Sequence, residues 1–219
     1  MSFYKLYNFL RDLNNNNNKE WMDQHRQRYH EVRDWYIDWL NELDKALAEI
    51  DPDYTPTEGR KAINRINNNL LYHPNKPIYK DHFGAGLDLG ENGKQGDFYI
   101  HLGLEESFLA GGFYHPKKQI LNSIRDAIDY DGERYKAIIN RESFNGKFEI
   151  IDDGDSLKTA PKGFSQDHRH IDLLRQKTFA VRHDVTQKEV TTGDFLEKCI
   201  DIYKEMKPFR DYLNRTVTV

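Results

Sequence analysis

Hydrophobic residues in the first fifty positions follow helical spacing. Phe3, Leu6, Leu10 and Leu13 lie three and four residues apart, which predicts a first helix with Ser2 as its N-cap. The asparagine run at 14–18 breaks this pattern, and Asn17 or Asn18 is predicted to cap the next helix because asparagine favours caps and turns. That helix is predicted as one long element up to Asp51-Pro52. Its apolar stripe contains Trp21, His25, Tyr29, Val32, Tyr36, Leu40, Leu43, Leu47 and Ile50.

The helical period is lost between residues 53 and 93, where prolines and glycines recur. A connection of this length predicts short strands or a functional segment. The GAGLDLG run at 84–90 does not indicate a dinucleotide site, because no clear strand precedes it and no helical pattern follows.

Alternating positions predict strands in the middle of the chain. DFYIHLGL, ending at Leu104, alternates apolar and polar residues, and FLAGGFYH at 108–115 is its predicted antiparallel partner. Gly111-Gly112 predicts a bulge or a close approach to backbone. The Asp-Gly pair at 153–154 predicts a hairpin between KFEII and SLK, and TFAVRHDV is a further candidate strand.

Helices are predicted between and after these strands. Ile120, Ile124 and Ile128 share one helical face, a second short helix is expected near 135–139, and another at 167–176. A last helix begins near Thr192, with Pro208 expected to kink or divide it. No regular strand-helix alternation appears, so we predict an α+β fold with N-terminal helices, a mainly antiparallel sheet and a C-terminal helix, in one domain over 1–219.

Composition predicts the kind of residue in the core and the cellular location of the protein. Aromatic residues make up 13% of the chain against 37% hydrophobic residues in total, which predicts a core rich in rings. The single cysteine, Cys199, excludes an intrachain disulfide and is interpreted as a buried structural thiol. The sequence indicates no signal peptide and no transmembrane run, so a cytoplasmic protein with no membrane partner is expected.

The charge distribution gives the main functional signal. The net charge is −4, which makes nucleic-acid binding unlikely for the chain as a whole. However, the stretch from Gly59 to Lys80 contains five basic residues and no carboxylate, and a second basic stretch covers 157–179. Solvated surface charge explains many such runs, but arginine and lysine can also converge on a phosphate or carboxylate.

The best functional hypothesis is therefore a basic pocket for a small anionic ligand. The candidate ligand-binding residues are Lys76, Tyr79, Lys80, Arg125, Lys158, Lys162, His170, Arg175 and Lys177. No motif indicates a particular reaction, and no cofactor is predicted. His168 and His170 form the only close histidine pair, but further ligands are lacking and no metal site is predicted.

Several segments resemble those of the bacterial domain-of-unknown-function family 2461, over the whole chain. They are FLRDLNNNNNKEWMDQHRQRY, KPIYK, GGFYHP with Arg125 following, and LKTAPKGF with HRHIDLLRQKTF. The resemblance implies an α+β fold and supplies no activity.

One segment of the chain, residues 68–80, departs from the pattern of this family. The family carries an Arg-Asp-x-Arg-Phe run followed by Asp-Lys-x-Pro-Tyr-Lys. Lys76, Tyr79 and Lys80 match the second part, whereas Asn75 replaces its aspartate and the proline comes one position early. The residues at 68–72 lack both arginines and the aspartate of the first part. An activity that depended on that set would be lost or altered here.

Two alternatives to the anion pocket remain. A single-stranded nucleic-acid-binding module would stack bases on rings among the basic residues, namely Tyr72, Tyr79, Phe83 and Phe164. A structural or interaction protein would self-associate through its helices.

Overall fold

Helices and one antiparallel sheet make up the chain, which confirms the predicted α+β class. The structure is a computed structural model and describes residues 1–90 and 93–217. Its helices are α1 (Phe3–Asn15), α2 (Lys19–Gln24), α3 (Arg26–Ile50), α4 (Gly59–Ala62), α5 (Lys118–Ile139), α6 (Glu142–Asn145), α7 (Ile171–Leu174), α8 (Gln187–Thr191) and α9 (Phe195–Thr216). Its strands are β1 (His82–Leu87), β2 (Asp97–Gly103), β3 (Ser107–Phe113), β4 (Glu149–Ile150) and β5 (Phe179–Asp184). Among the described residues the strands follow the order β1-β2-β3-β5-β4.

The chain divides into two compact units. Unit 1 comprises Met1–Leu87, Tyr99–Leu109 and Asp184–Ile200, and unit 2 comprises Asp88–Phe98, Ala110–His183 and Asp201–Val219. The prediction of one domain stays a prediction.

Unit 1 has a core built from rings, as the composition predicts. Phe3 meets the edge of Trp35 and of Trp39, each at 5.0 Å between ring centroids. Trp39 in turn stacks on Phe195 at 5.5 Å. Edge-to-face and offset-stacked contacts of this kind add to the free energy of burying the rings themselves. Cys199 is fully buried in unit 1, in agreement with its interpretation as a structural thiol, and burial raises its pKa.

The predicted long helix is wrong in one respect, because it is broken at His25 into α2 and α3. The His25 ring stacks on Trp21 at 4.0 Å, and its Nδ1 donates a hydrogen bond to the Trp21 carbonyl oxygen at 2.8 Å. The His25 backbone N–H also donates to the Trp21 carbonyl, at 3.0 Å, so both groups of His25 bond to the end of α2. Asn18 caps α2 by accepting from the Trp21 amide at 2.8 Å, as predicted.

Asn17, its neighbour in the asparagine run, joins two distant segments of unit 1. Its side-chain amide donates to the Tyr79 carbonyl oxygen at 2.9 Å and accepts from the Tyr79 amide at 2.9 Å. The run, predicted from the sequence to break one helix and cap the next, therefore also fixes the backbone at the end of the first basic stretch.

We predict that Asn17→Ala lowers the free energy of unfolding by about 1–2 kcal/mol, because two half-buried backbone groups of Tyr79 lose their partner. Asn16→Ala is the matched control, since the exposed Asn16 side chain bonds only the nearby Asp12 carbonyl. Urea unfolding followed by tryptophan fluorescence measures both, because all three tryptophans lie in unit 1. Equal effects of the two substitutions would contradict this role of Asn17.

In unit 2, α5 and α9 pack through rings. Tyr135 of α5 lies 5.9 Å from Phe209 and 5.5 Å from Tyr212, measured between ring centroids. The helix predicted near 135–139 continues the preceding one within α5, with non-helical backbone angles at Asp131 marking a kink. Pro208 lies inside α9 without dividing it.

Close backbone packing accounts for Gly112 in unit 2. A Cβ atom at Gly112 would lie 2.3 Å from the Phe179 carbonyl oxygen, and the residue has a φ of +112° that other residues rarely adopt. The expected close approach of backbone is confirmed.

The hairpin predicted between KFEII and SLK is wrong. The strand β4 pairs with β5 instead, with Glu149 opposite Arg182 and Ile150 opposite Val181.

A buried ion pair joins α9 to the segment before β2, also within unit 2. Arg210 and Asp88 are each 2% exposed and are bonded through Arg210 Nη2 and Asp88 Oδ2. Asp88 also accepts from the Tyr203 hydroxyl at 3.1 Å and from Gln95 Nε2 at 2.6 Å, while Arg210 Nη2 donates to the Gly96 carbonyl at 2.8 Å. Additional hydrogen bonds of this kind are what a buried charge pair requires.

Candidate functional site

The first basic stretch forms an extended hairpin in unit 1. Its stem is marked by antiparallel bridges between Ile63 and Ala85 and between Asn67 and Tyr79. At the tip Leu71 is 84% exposed and Tyr72 is 74% exposed. The stretch therefore presents a protruding tip carried by a hydrogen-bonded stem.

The three candidate residues in this hairpin have different surroundings. Lys76 is exposed. Tyr79 is buried, and desolvation raises its pKa. Lys80 is half-buried, and its Nζ donates to the Arg65 carbonyl oxygen at 2.8 Å. Burial, and then the charges of Arg65 and Lys76, lower the pKa of Lys80.

The other six candidates belong to unit 2, and several make structural contacts. Arg125 is 7% exposed, and it donates from Nε to the Leu174 carbonyl at 2.8 Å and from Nη2 to the Gln176 carbonyl at 3.0 Å. Arg175 donates to Gln166 at 2.7 Å, and Lys177 lies 3.7 Å from an Asp155 carboxylate oxygen. Arg125 thus holds the turn that follows α7, and burial lowers its pKa. Lys158 and Lys162 are exposed.

His170 is the most buried of the candidates. Its ring packs on Gly132 at the kink of α5, and neither ring nitrogen has a hydrogen-bond partner among residues 1–90 and 93–217. The nearest carboxylate oxygen, on Glu133, lies 3.6 Å from Nε2. Burial lowers the pKa of His170, so the neutral ring is favoured at neutral pH.

Neighbouring His168 is placed differently. Its Nδ1 accepts from the His170 amide at 3.0 Å, so the proton lies on Nε2, which is 2.9 Å from an Asp129 carboxylate oxygen. Within residues 1–90 and 93–217, no group of three or more histidine, cysteine, aspartate and glutamate side chains is arranged to hold a metal ion.

A groove lies between α5 and α9 in unit 2 and has a volume of about 410 Å³. Two of its residues lie one turn apart on α5, and six lie along one face of α9. They are Arg134, Ile138, Lys204, Lys207, Pro208, Asp211, Tyr212 and Arg215.

The groove carries an excess of positive charge. Among the residues that the structure describes, four cationic side chains and one carboxylate line it, and Lys207 pairs with that carboxylate, on Asp211, at 2.8 Å. Arg134, Lys204 and Arg215 are exposed and form no ion pair with any residue that the structure describes. Tyr212 closes the base, and burial raises its pKa to about 12, so its hydroxyl stays protonated at neutral pH.

None of the groove residues was a candidate from the sequence. The cations of α9 are separated by acidic residues along the chain, as in DIYKEMKPFRDYLNR, and such a mixture is typical of a solvated helix face. The available signal was helical spacing, since Lys204, Pro208, Asp211 and Arg215 recur at intervals of four and three on one face. The contribution of α5 depends on tertiary packing.

Rings proposed for base stacking are mostly withdrawn from the surface. Tyr79 and Phe83 are buried, Phe164 is half-buried, and Tyr72 is exposed. Among the described residues, no helix has the length and apolar character needed to cross a bilayer.

Comparison with known proteins gives one match. The model of a family described as "Conserved hypothetical protein (DUF2461)" matches residues 5–212. No curated protein and no solved structure matches the chain.

Proposed function

Because the chain belongs to the DUF2461 family of conserved hypothetical proteins, whose description assigns no activity, we propose a function from the groove of unit 2: it binds a small anionic ligand that carries a phosphate or a carboxylate. The observation that supports this proposal is a set of three exposed cations around one concave surface, Arg134, Lys204 and Arg215, which pair with no carboxylate in the described part of the chain. The ligand class is the one indicated by the sequence, in a different part of the chain from the predicted residues.

Electrostatics support this assignment. Like charges held close together repel, and a bound anion offsets that repulsion. Arginine adds direction, since its planar fork can donate two parallel hydrogen bonds to a phosphate or carboxylate. Lys207 is held by Asp211, so the two arginines and Lys204 are the groups available to a ligand.

We predict that Arg215→Gln weakens pyrophosphate binding about tenfold, which corresponds to about 1.4 kcal/mol for one lost charge-assisted hydrogen bond. Isothermal titration calorimetry at low ionic strength measures the dissociation constant. Arg141→Gln is the matched control, because Arg141 is an exposed arginine of unit 2 outside the groove, and its replacement should leave the affinity within about twofold.

The same titration distinguishes the groove from the basic stretches. Lys158→Gln, Lys162→Gln and Lys76→Gln each remove an exposed candidate cation. If one of them weakens pyrophosphate binding while Arg215→Gln does not, the anion binds at a basic stretch and the groove assignment is wrong. Absence of binding by the wild-type chain would reject the function itself.

A further inference from the structure

The groove in unit 2 has arginines towards one end, Lys204 at the other end and apolar groups between them. The Tyr212 hydroxyl lies 3.4 Å from the Asp131 carbonyl oxygen, and one turn further along α5 the Tyr135 ring meets Phe209. The two helices therefore run antiparallel along the groove. Arg134 therefore lies level with the turn of α9 that contains Tyr212, one turn before Arg215. Ile138 lies level with the turn that contains Pro208, one turn from Lys204.

Apolar groups lie beside the arginines. Ile138 and Pro208 are half-buried, and Tyr212, which lies between Pro208 and Arg215 on α9, is 8% exposed. An isolated phosphate at the arginines would leave this apolar surface in water. The volume of about 410 Å³ also falls in the range of pockets for organic ligands, which is roughly 300–1,000 Å³.

We propose that the ligand is an organic anion with an apolar body, whose phosphate or carboxylate lies at Arg134 and Arg215 and whose body lies on Ile138, Pro208 and Tyr212. This inference rests on the proposed function, since it names the class of ligand for the same groove. The anionic group supplies attraction and orientation. The body supplies affinity by removing apolar surface of ligand and protein from water.

Two phosphate monoesters of equal charge test the role of the body. We expect phenyl phosphate to bind about tenfold tighter than methyl phosphate, which is the gain expected when part of one ring is buried. A titration followed by amide chemical shifts gives both dissociation constants, including weak ones. Salt should weaken both esters alike, because the anionic contact is common to them.

Variants of the apolar groove residues separate the contribution of the ligand's body from that of its anionic group. Ile138→Ser and Pro208→Ala should each remove most of the preference for phenyl phosphate and leave methyl phosphate binding unchanged. Ile150→Ser is the matched control, because Ile150 is 41% exposed and lies in unit 2 outside the groove. Pro208→Ala also keeps the test valid should Ile138→Ser fail to fold, because alanine favours the helix that contains residue 208.

The outcomes of the two proposals differ. If methyl and phenyl phosphate bind equally tightly, or the variants weaken both esters equally, the apolar body is wrong while anion binding stands. If neither ester binds and pyrophosphate does not bind either, the proposed function fails. A preference for phenyl phosphate that depends on Ile138 and Pro208 supports both.

Discussion

Replacing Arg210 by methionine should lower the free energy of unfolding by about 3–5 kcal/mol, the cost of leaving one charge of a buried ion pair without its partner. The Asp88 carboxylate, 2% exposed, would keep its bonds from Tyr203 and Gln95 but would lose the opposing charge. The Gly96 carbonyl would also lose the bond from Nη2. Methionine keeps much of the length of the arginine stem, so the loss reports on charge and hydrogen bonding more than on packing.

Urea unfolding followed by circular dichroism is the suitable measurement. The three tryptophans lie in unit 1, whereas Arg210 lies in unit 2, so fluorescence alone would miss the affected part. Arg141→Met is the control for replacing an exposed arginine of unit 2, and its effect should stay within about 0.5 kcal/mol.

A double variant makes the argument sharper. Asp88→Asn removes the opposing charge and suits the positive φ of 57° at this residue, because asparagine tolerates that conformation. Combined with Arg210→Met, it should cost less than the sum of the two single substitutions, since the partners are coupled. Additive effects would contradict a coupled pair.

Replacing Asp97 by asparagine should raise the free energy of unfolding at alkaline pH by up to about 3 kcal/mol. Burial raises the pKa of the Asp97 carboxyl from its ordinary value of 3.8 to about 6, although the charge of Arg210 acts in the opposite direction. The folded chain therefore holds this proton more tightly than the unfolded chain does. The stabilisation is complete below about pH 4 and is lost as the pH rises through about 6.

The pH profile identifies the origin of the effect. Wild type and Asp97→Asn should have equal stability near pH 3.5 and diverge as the pH rises to about 7, because only the wild-type side chain ionises. Asp201→Asn is the control, since Asp201 is an exposed carboxyl of α9 in the same unit. A difference that does not change with pH would show that Asp97→Asn acts through packing and not through charge.

The sequence predicted those elements whose pattern depends on burying one face. The three- and four-residue spacing of α1 and α9, and the alternation in β2, follow from that single requirement. The prediction from hydrophobic spacing was wrong at His25, because the apolar spacing continues through a helix break there. At the break, both the ring and the backbone N–H of His25 bond to the Trp21 carbonyl, and hydrophobic periodicity gives no signal for such bonds.

The residues of the proposed ligand site were harder to predict, because local sequence does not show which distant residues pack together. Lys80 stands in the first basic stretch and Arg125 in the helix between the two stretches, yet their donors bond to carbonyl oxygens of the fold. Conversely, Arg134 and Arg215 lie 81 positions apart in segments with ordinary charge, and the packing of α5 on α9 brings them to one groove. The proposed ligand class therefore rests on charge, which the sequence displays, whereas the proposed location rests on tertiary structure.

The location of a bound anion tests the central claim most directly. Amide chemical shifts of the wild-type chain, followed during a pyrophosphate titration, report which residues sense the ligand. The groove assignment predicts that saturable shifts centre on residues 134–138 and 204–215. Shifts centred on 76–80 or on 158–177, or no saturable shift at all, would contradict it.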